Sequence, residues 1–240
     1  NLMLSDEERL TVVNVVASTR VAEELDLPDI AIQLNCEYEP EQFPGVVYRV
    51  KEPKLAILMF RSGRAVCTGG KNEDNIQTGI EMMTHDLRAA GIETWDLKDV
   101  EIEVQNMVAT YSLFYPEEYK GVARMDDNNT RVIDAPEGMR AATDEEVADE
   151  DPRIRGIREG EPLAALPRKL NLNNLTFHLP FDKVEYEPEQ FPGLIYRLDY
   201  PKVVCLIFGS GKMVITGARH KDEILEAVQF IQDELADLLY

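Results

Sequence analysis

The sequence predicts an α+β fold made of two copies of one unit, each an antiparallel sheet with helices on one face. Three observations predict it. The first is an internal repeat, which decides the architecture before any local pattern does. EYEPEQFPG stands at 37–45 and again at 185–193, and at an offset of 148 the stretch 37–69 matches 185–217 at twenty of thirty-three positions. The second is a set of three apolar runs in each copy, joined by connections too short for a crossover, so that neighbouring strands run antiparallel. The third is a stretch of helical periodicity that closes each copy.

In chain order, the first copy opens with a β-branched strand, Val12 to Ala17. A small helix opened by Pro28 follows, then a turn at Glu39-Pro40. The apolar runs Val46 to Val50, Leu55 to Phe60 and Ala65 to Thr68 are separated by the turn signals Glu52-Pro53 and Ser62-Gly63. Ile76, Ile80, Met83 and Leu87 then recur at helical spacing, as do Ile224, Leu225, Val228, Ile231 and Leu235 in the second copy. Pairing VVNVVAST at 12–19 with EVQNMVAT at 103–110 finds the opening strand of the second copy and places Asn14 on Asn106 at an offset of 92. The two offsets differ by 56, the number of additional residues in the second copy. The chain therefore divides into a first repeat at 11–98, the start of the second at 99–115, an acidic addition at 116–169 and the remainder of the second repeat at 170–240. The addition holds DDNN and DEEVADED with scattered Pro and Gly. Such a tract is expected to be a solvated or disordered surface excursion that leaves the core of the two copies whole.

Composition narrows the function classes. The chain has 240 residues, 44% of them apolar, enough for two packed domains. No run approaches a membrane span, and Asn1 to Leu10 has acids where a signal peptide carries bases, so a cytoplasmic, nucleoid-associated protein is expected. Cys36, Cys67 and Cys205 form no CxxC pair and read as buried, reduced thiols. His85, His178 and His220 lack ligand spacing, so no metal and no cofactor is expected. No nucleophile elbow and no phosphate-cradling GxxxxGK is present, which argues against an enzyme. The net charge of −20 argues against a polyanionic partner until it is counted locally. Residues 46–71 carry six bases and one acid, net +5, and residues 194–219 four bases and one acid, net +3. Two basic islands thus stand in an acidic chain, whose acidity suits a salt-loving archaeal source.

The strands also say something about their second face. LAILMF at 55–60 and VVCLIF at 203–208 are apolar on both sides of the pleat, whereas a sheet with one wet face alternates. A large apolar surface beyond what the helices cover marks a binding site.

Phe43 and Phe60 are seventeen apart, and so are Phe191 and Phe208. Together with the two Asn-bearing strands, SGRAVCTG at 62–69, SGKMVITG at 210–217 and the two QFPG segments, they resemble the TATA-box-binding protein family of archaeal type, over 11–115 and 170–239. That resemblance implies a saddle of two repeats whose curved ten-stranded antiparallel sheet lies on a DNA minor groove, with helices on the convex face. The family is itself a standard example of kinking by apolar wedges. Carried over by position, Phe43 with Phe60 and Phe191 with Phe208 are the wedge pairs. Asn14 and Asn106 match the amides that hydrogen-bond minor-groove acceptors, with Thr68 and Thr216 beside them. Val16, Val66, Val108 and Val214, with Leu58 and Leu206, match the apolar floor that prefers A·T pairs. Arg49 and Arg197, Lys54 and Lys202, Arg64 and Lys212, with Ser62 and Ser210, fit phosphate contacts that position the duplex.

Pro44 and Pro192 each follow the first Phe of a pair, which leaves the two ends nearly alike and makes orientation on DNA depend on a partner. The resemblance implies transcription factor B as that partner, docked at Glu187 and Glu189, although Gln190 stands where many relatives have Leu. RNA polymerase follows through the initiation complex, and an uncovered sheet implies a homodimer in the absence of DNA. The alternative is a regulatory interaction protein whose concave face is occupied by the acidic segment or by a protein partner.

Overall fold

The computed structural model describes residues 5–113, 122–125, 131–134, 142–143 and 170–238. The chain divides into two compact units, one of Val12–Val108 with Gly217–His220, the other of Asn1–Thr11, Ala109–Thr216 and Lys221–Tyr240.

In the first unit, β1 (Thr11–Arg20) runs into α2 (Leu27–Gln33), which Asp26 caps by accepting from the Asp29 N–H and which has Pro28 in its first turn. Pro fits there because the first helical N–H groups lack intrahelical acceptors. The strands β2 (Val46–Val50), β3 (Leu55–Met59) and β4 (Arg64–Gly70) follow, then α3 (Glu73–Ala89), capped by Asn72. They pair antiparallel, β2 with β3, β3 with β4 and β4 with β1, with an irregularity in β1 between Val15 and Ala17. The run that reads as apolar on both sides resolves into two different faces. Leu55, Ile57 and Met59 are buried with Ile76, Ile80, Met83 and Leu87 of α3, whereas Ala56 and Leu58 stay half-exposed.

The packing of α3 on β3 turns on Gly79. A Cβ there would lie 2.4 Å from Leu55 Cδ1, so the helix packs against this rotamer of Leu55 because residue 79 has no side chain. The repeat makes the compensating exchange in sequence, with Val203 for Leu55 and Ala227 for Gly79. Tyr48, on β2, donates to Asp86 of α3 at 2.5 Å, and burial first, then this bond, pushes its hydroxyl well above the usual phenol range.

The second unit repeats the plan. A short helix, α1 (Asp6–Arg9), precedes it in the chain, and β5 (Glu103–Ser112) divides its length between the two units. Then come α4 (Leu172–His178), β9 (Val184–Glu185), β10 (Leu194–Arg197), β11 (Val204–Ile207), β12 (Lys212–Ala218) and α5 (Lys221–Leu235). Cys205, Ile207, Met213 and Ile215 are buried, as are Ile224, Val228 and Ile231 of α5. Tyr196 donates to Glu234 at 2.8 Å, the counterpart of the Tyr48–Asp86 bond. Tyr48→Phe is expected to lower stability by about 1 kcal/mol, the net worth of one such bond, as a shifted denaturant midpoint with unchanged slope.

Two expectations are corrected. Among the described residues the large sheet has nine strands, in the order β2-β3-β4-β1-β5-β12-β11-β10-β9, where ten were expected. In the second copy Val184 and Glu185 pair with Tyr196 and Ile195, but in the first Glu37 makes only an isolated bridge to Val47. The reason is local. Asn35 takes a left-handed conformation at φ 52 and the Cys36 N–H donates to the Ala31 carbonyl, so the residue that would extend the ladder is tied to the end of α2. Second, the acidic addition contains a three-stranded antiparallel sheet of its own, from β6 (Val122–Met125), β7 (Arg131–Asp134) and β8 (Ala142–Thr143). Its acidic average conceals β-branched stretches such as RVID around the Asp/Asn-rich turn signal DDNN. The rest of 116–169 lies outside the described residues.

Candidate nucleic-acid interface

Alternation along β3, β4, β11 and β12 sets half of each strand on the face away from the helices. Leu58, Val66 and Thr68 in the first copy are half-exposed there, as are Leu206, Val214 and Thr216 in the second. Val66 sits opposite Leu58, and Val214 opposite Leu206. Val16 of β1 and Val108 of β5 are half-exposed as well. These apolar side chains thus stand at half-exposed positions of the strands in both copies.

Each amide is aimed by its own backbone. Asn14 Oδ1 accepts from the Gly69 N–H at 2.8 Å and from the Thr68 hydroxyl at 3.5 Å. Asn106 Oδ1 accepts from the Gly217 N–H at 2.7 Å. An N–H requires an acceptor, so the oxygen of each amide must be the atom facing the backbone, and the NH2 group is the end turned away from it. An NH2 suits the minor-groove edge of A·T pairs, which shows only acceptors.

The ring pairs have one geometry in both copies. Phe43 and Phe60 lie edge to face with centroids 5.8 Å apart at 68°, and Phe191 and Phe208 show the same two values. Phe43 is 38% exposed, more than a core ring shows. Gly45 and Gly193 make room for the pairs: a Cβ would come within 2.8 Å of Phe43 Cε1 at the first and within 2.9 Å of both Phe191 Cε1 and Phe208 Cε1 at the second. Gly45→Ala is therefore expected to displace the first pair, weakening duplex binding about tenfold, with a smaller loss of stability because the Cβ also meets the Met59 carbonyl oxygen at 3.1 Å. Titration with a labelled A·T duplex checks this, and unaltered affinity would show that the ring positions do not matter. Pro44 and Pro192 are exposed beside the rings.

The basic residues are exposed and partly engaged. Arg49 lies 3.8 Å from Glu37 and Arg197 3.6 Å from Glu185, exposed ion pairs of small net worth that phosphate can displace. Lys54, Lys202, Arg64 and Lys212 are exposed, and the hydroxyls of Ser62 and Ser210 accept from the Arg64 and Lys212 N–H groups, each at 3.4 Å. Glu187 and Glu189 are exposed in the turn before Phe191, where the Glu187 carbonyl accepts from the Gln190 and Phe191 N–H groups.

Cys67 and Cys205 are buried and shielded from reagents. Burial pushes the Cys67 thiol up to about 11 and that of Cys205 up to about 12. Cys36, expected to be buried, is only half-buried, and its thiol is raised by burial first and by Asp86 second.

Four positions went unnoticed in the sequence. Val47 pairs with Leu58 and Ile195 with Leu206, while Ala56 pairs with Thr68 and Val204 with Thr216. All four are half-exposed on the same face as the expected floor. The signal that finds them was available, since each pair keeps the offset of 148 and the alternation of its strand.

The chain is similar to known proteins. The family model for transcription factor TFIID, or TATA-binding protein (TBP), matches residues 9–90 and 163–238. The TATA-box-binding protein of Thermoplasma acidophilum is 41% identical over 233 residues, covering 97% of each chain. That of Haloarcula marismortui is 38% identical over 237 residues, covering 98% of each. Among solved structures, the Methanococcus jannaschii TBP is similar with a TM-score of 0.66 at 36% identity, covering 95% of this chain and 99% of that one.

Proposed function

Because the chain belongs to the TATA-binding protein family, we propose that it is a transcription initiation factor that binds an A·T-rich promoter element in the minor groove and bends it with its phenylalanine pairs. The observation that carries this reading is duplication. Each copy presents a half-exposed apolar face ending in a ring pair of the same geometry.

Each face supplies the same four functions. The floor of Val66 and Leu58, or Val214 and Leu206, offers methyl groups to the flat edge of A·T pairs. Asn14 and Asn106 donate to adenine N3 or thymine O2, where a guanine amino group would collide. The rings enter base steps at the ends of the element. Unstacking costs a few kcal/mol per step, offset by the larger surface that a bent duplex brings into contact. Arg49, Arg197, Lys54, Lys202, Arg64 and Lys212 hold phosphates and set the register without reading sequence.

Glu187 and Glu189 then form the docking point for transcription factor B, through which RNA polymerase is recruited. Without DNA, the apolar faces favour a homodimer.

Fluorescence energy transfer across a short end-labelled A·T duplex in molar potassium chloride tests the reading. Bending is expected, with a shallow dependence on salt because apolar contact outweighs phosphate contact, and with loss of binding when a minor-groove-filling drug is added. Folded protein that leaves the duplex straight, or that binds equally well with the minor groove filled, would refute it.

A further inference from the structure

The two open faces are unequal, and we infer that this makes the first copy the half that tolerates a guanine·cytosine pair in the bound element and the second the half that rejects it. The inference rests on the minor-groove reading above and adds which residues decide specificity within it.

Two cross-strand rows cross each face. In the first copy they are Thr68–Ala56–Arg49 and Val66–Leu58–Val47. In the second they are Thr216–Val204–Arg197 and Val214–Leu206–Ile195. Four of the six positions carry the same residue in both copies. The remaining two differ in one direction: Val204 is larger than Ala56 by two carbons, and Ile195 larger than Val47 by one. All four side chains are half-exposed, so the difference stands on the open face. Val and Ile are also stiff at χ1 and do not fold aside.

Each added methyl extends the floor by about 1.5 Å, one carbon–carbon bond. In the minor groove, A·T and T·A pairs show acceptors alone, and a G·C pair adds one protruding group, the guanine 2-amino group. The row that changes most is flanked by the same Thr and Arg in both copies. Its middle residue therefore decides the outcome. Above Ala56 the amino group has room, whereas at Val204 the two methyls occupy the same space. One G·C pair in an otherwise palindromic A·T element is thus enough to orient the protein.

The test uses the full chain with a donor dye on Ile32→Cys in a Cys36→Ser background, since Ile32 is 79% exposed on α2 of the first copy. The acceptor sits at either end of a palindromic A·T duplex in which one half carries a single G·C pair. An even distribution of orientations is expected on the parent duplex. On the substituted duplex, complexes with the first copy over the G·C pair should predominate about tenfold, within the usual effect of one mismatched pair. Inosine, which lacks the 2-amino group, should restore evenness. Ala56→Val should abolish the preference, and Ala56→Val combined with Val204→Ala should reverse it. Val204→Ala alone cannot overpack and should also abolish it, which covers the case in which the larger side chain prevents folding. Even orientations on the guanine duplex, or a preference that survives inosine or Val204→Ala, overturn the inference. Failure to bind the parent duplex instead removes the minor-groove reading, and this inference with it.

Discussion

Replacing Phe43 and Phe191 together by alanine is expected to abolish bending of an A·T duplex and to weaken binding by about 10³-fold, with little change in the midpoint of unfolding. The magnitude follows from treating each ring as an interface anchor, whose loss costs about 2 kcal/mol or more, so that two lose about 4 kcal/mol. The separation from stability follows from position. Phe43 is 38% exposed and touches Phe60 at a ring edge, so its removal leaves the buried layer of Ile57, Met59, Ile80 and Met83 undisturbed. A single replacement should remove the kink at one end and leave about half of the bend. Energy transfer across the duplex reads the angle and a guanidinium titration reads the fold. A double mutant that still bends DNA fully would show that the rings are not wedges.

The second large effect is expected at the amides, from a substitution that preserves shape. In Asn14→Asp combined with Asn106→Asp, one carboxylate oxygen still accepts from the Gly69 or Gly217 N–H, so the local structure is kept. The other end changes from an NH2 donor to an anionic acceptor. Set against adenine N3 or thymine O2, it meets acceptors only and lies in the negative potential of the groove. Affinity should fall by 10³-fold or more, beyond the loss in the corresponding alanine double mutant, which removes donors without adding repulsion. The order of the two mutants is the critical result. If the aspartate protein binds as well as the alanine protein, the amides do not donate to the groove.

Much of this was legible in the sequence because the repeat acts as an internal alignment. Asn14 and Asn106, and Phe43 and Phe191, are each other's controls, and two offsets, 92 for the opening strand with its amide and 148 for the rings and later strands, carry the positions from copy to copy. What escaped depends on contacts that no local pattern contains. The Tyr48–Asp86 and Tyr196–Glu234 bonds join residues 38 apart, on a strand and the helix that covers it. The absent tenth strand is a matter of connection length: three residues separate α2 from Glu37 and six separate α4 from Glu185, and only the longer connection frees a residue to lengthen the ladder. Strands β6 to β8 were hidden because averaging charge over the acidic tract erased short stretches of strand-forming residues. Ala56 and Val204 differ between the copies, so the pattern of shared residues does not contain them.

The exchange of Leu55 and Gly79 for Val203 and Ala227 has a bearing on descent. Once one copy had moved bulk from helix to strand, a crossover between the duplicated segments that joined Leu55 to an alanine at position 79 would place a methyl 2.4 Å from Leu55 Cδ1. In such a recombinant Leu55 would have to turn out of its place, at a cost in stability whatever the affinity for DNA. Exchange of segments between the two halves is thereby disfavoured, and each can accumulate differences on its outer face while its buried layer stays a matched set.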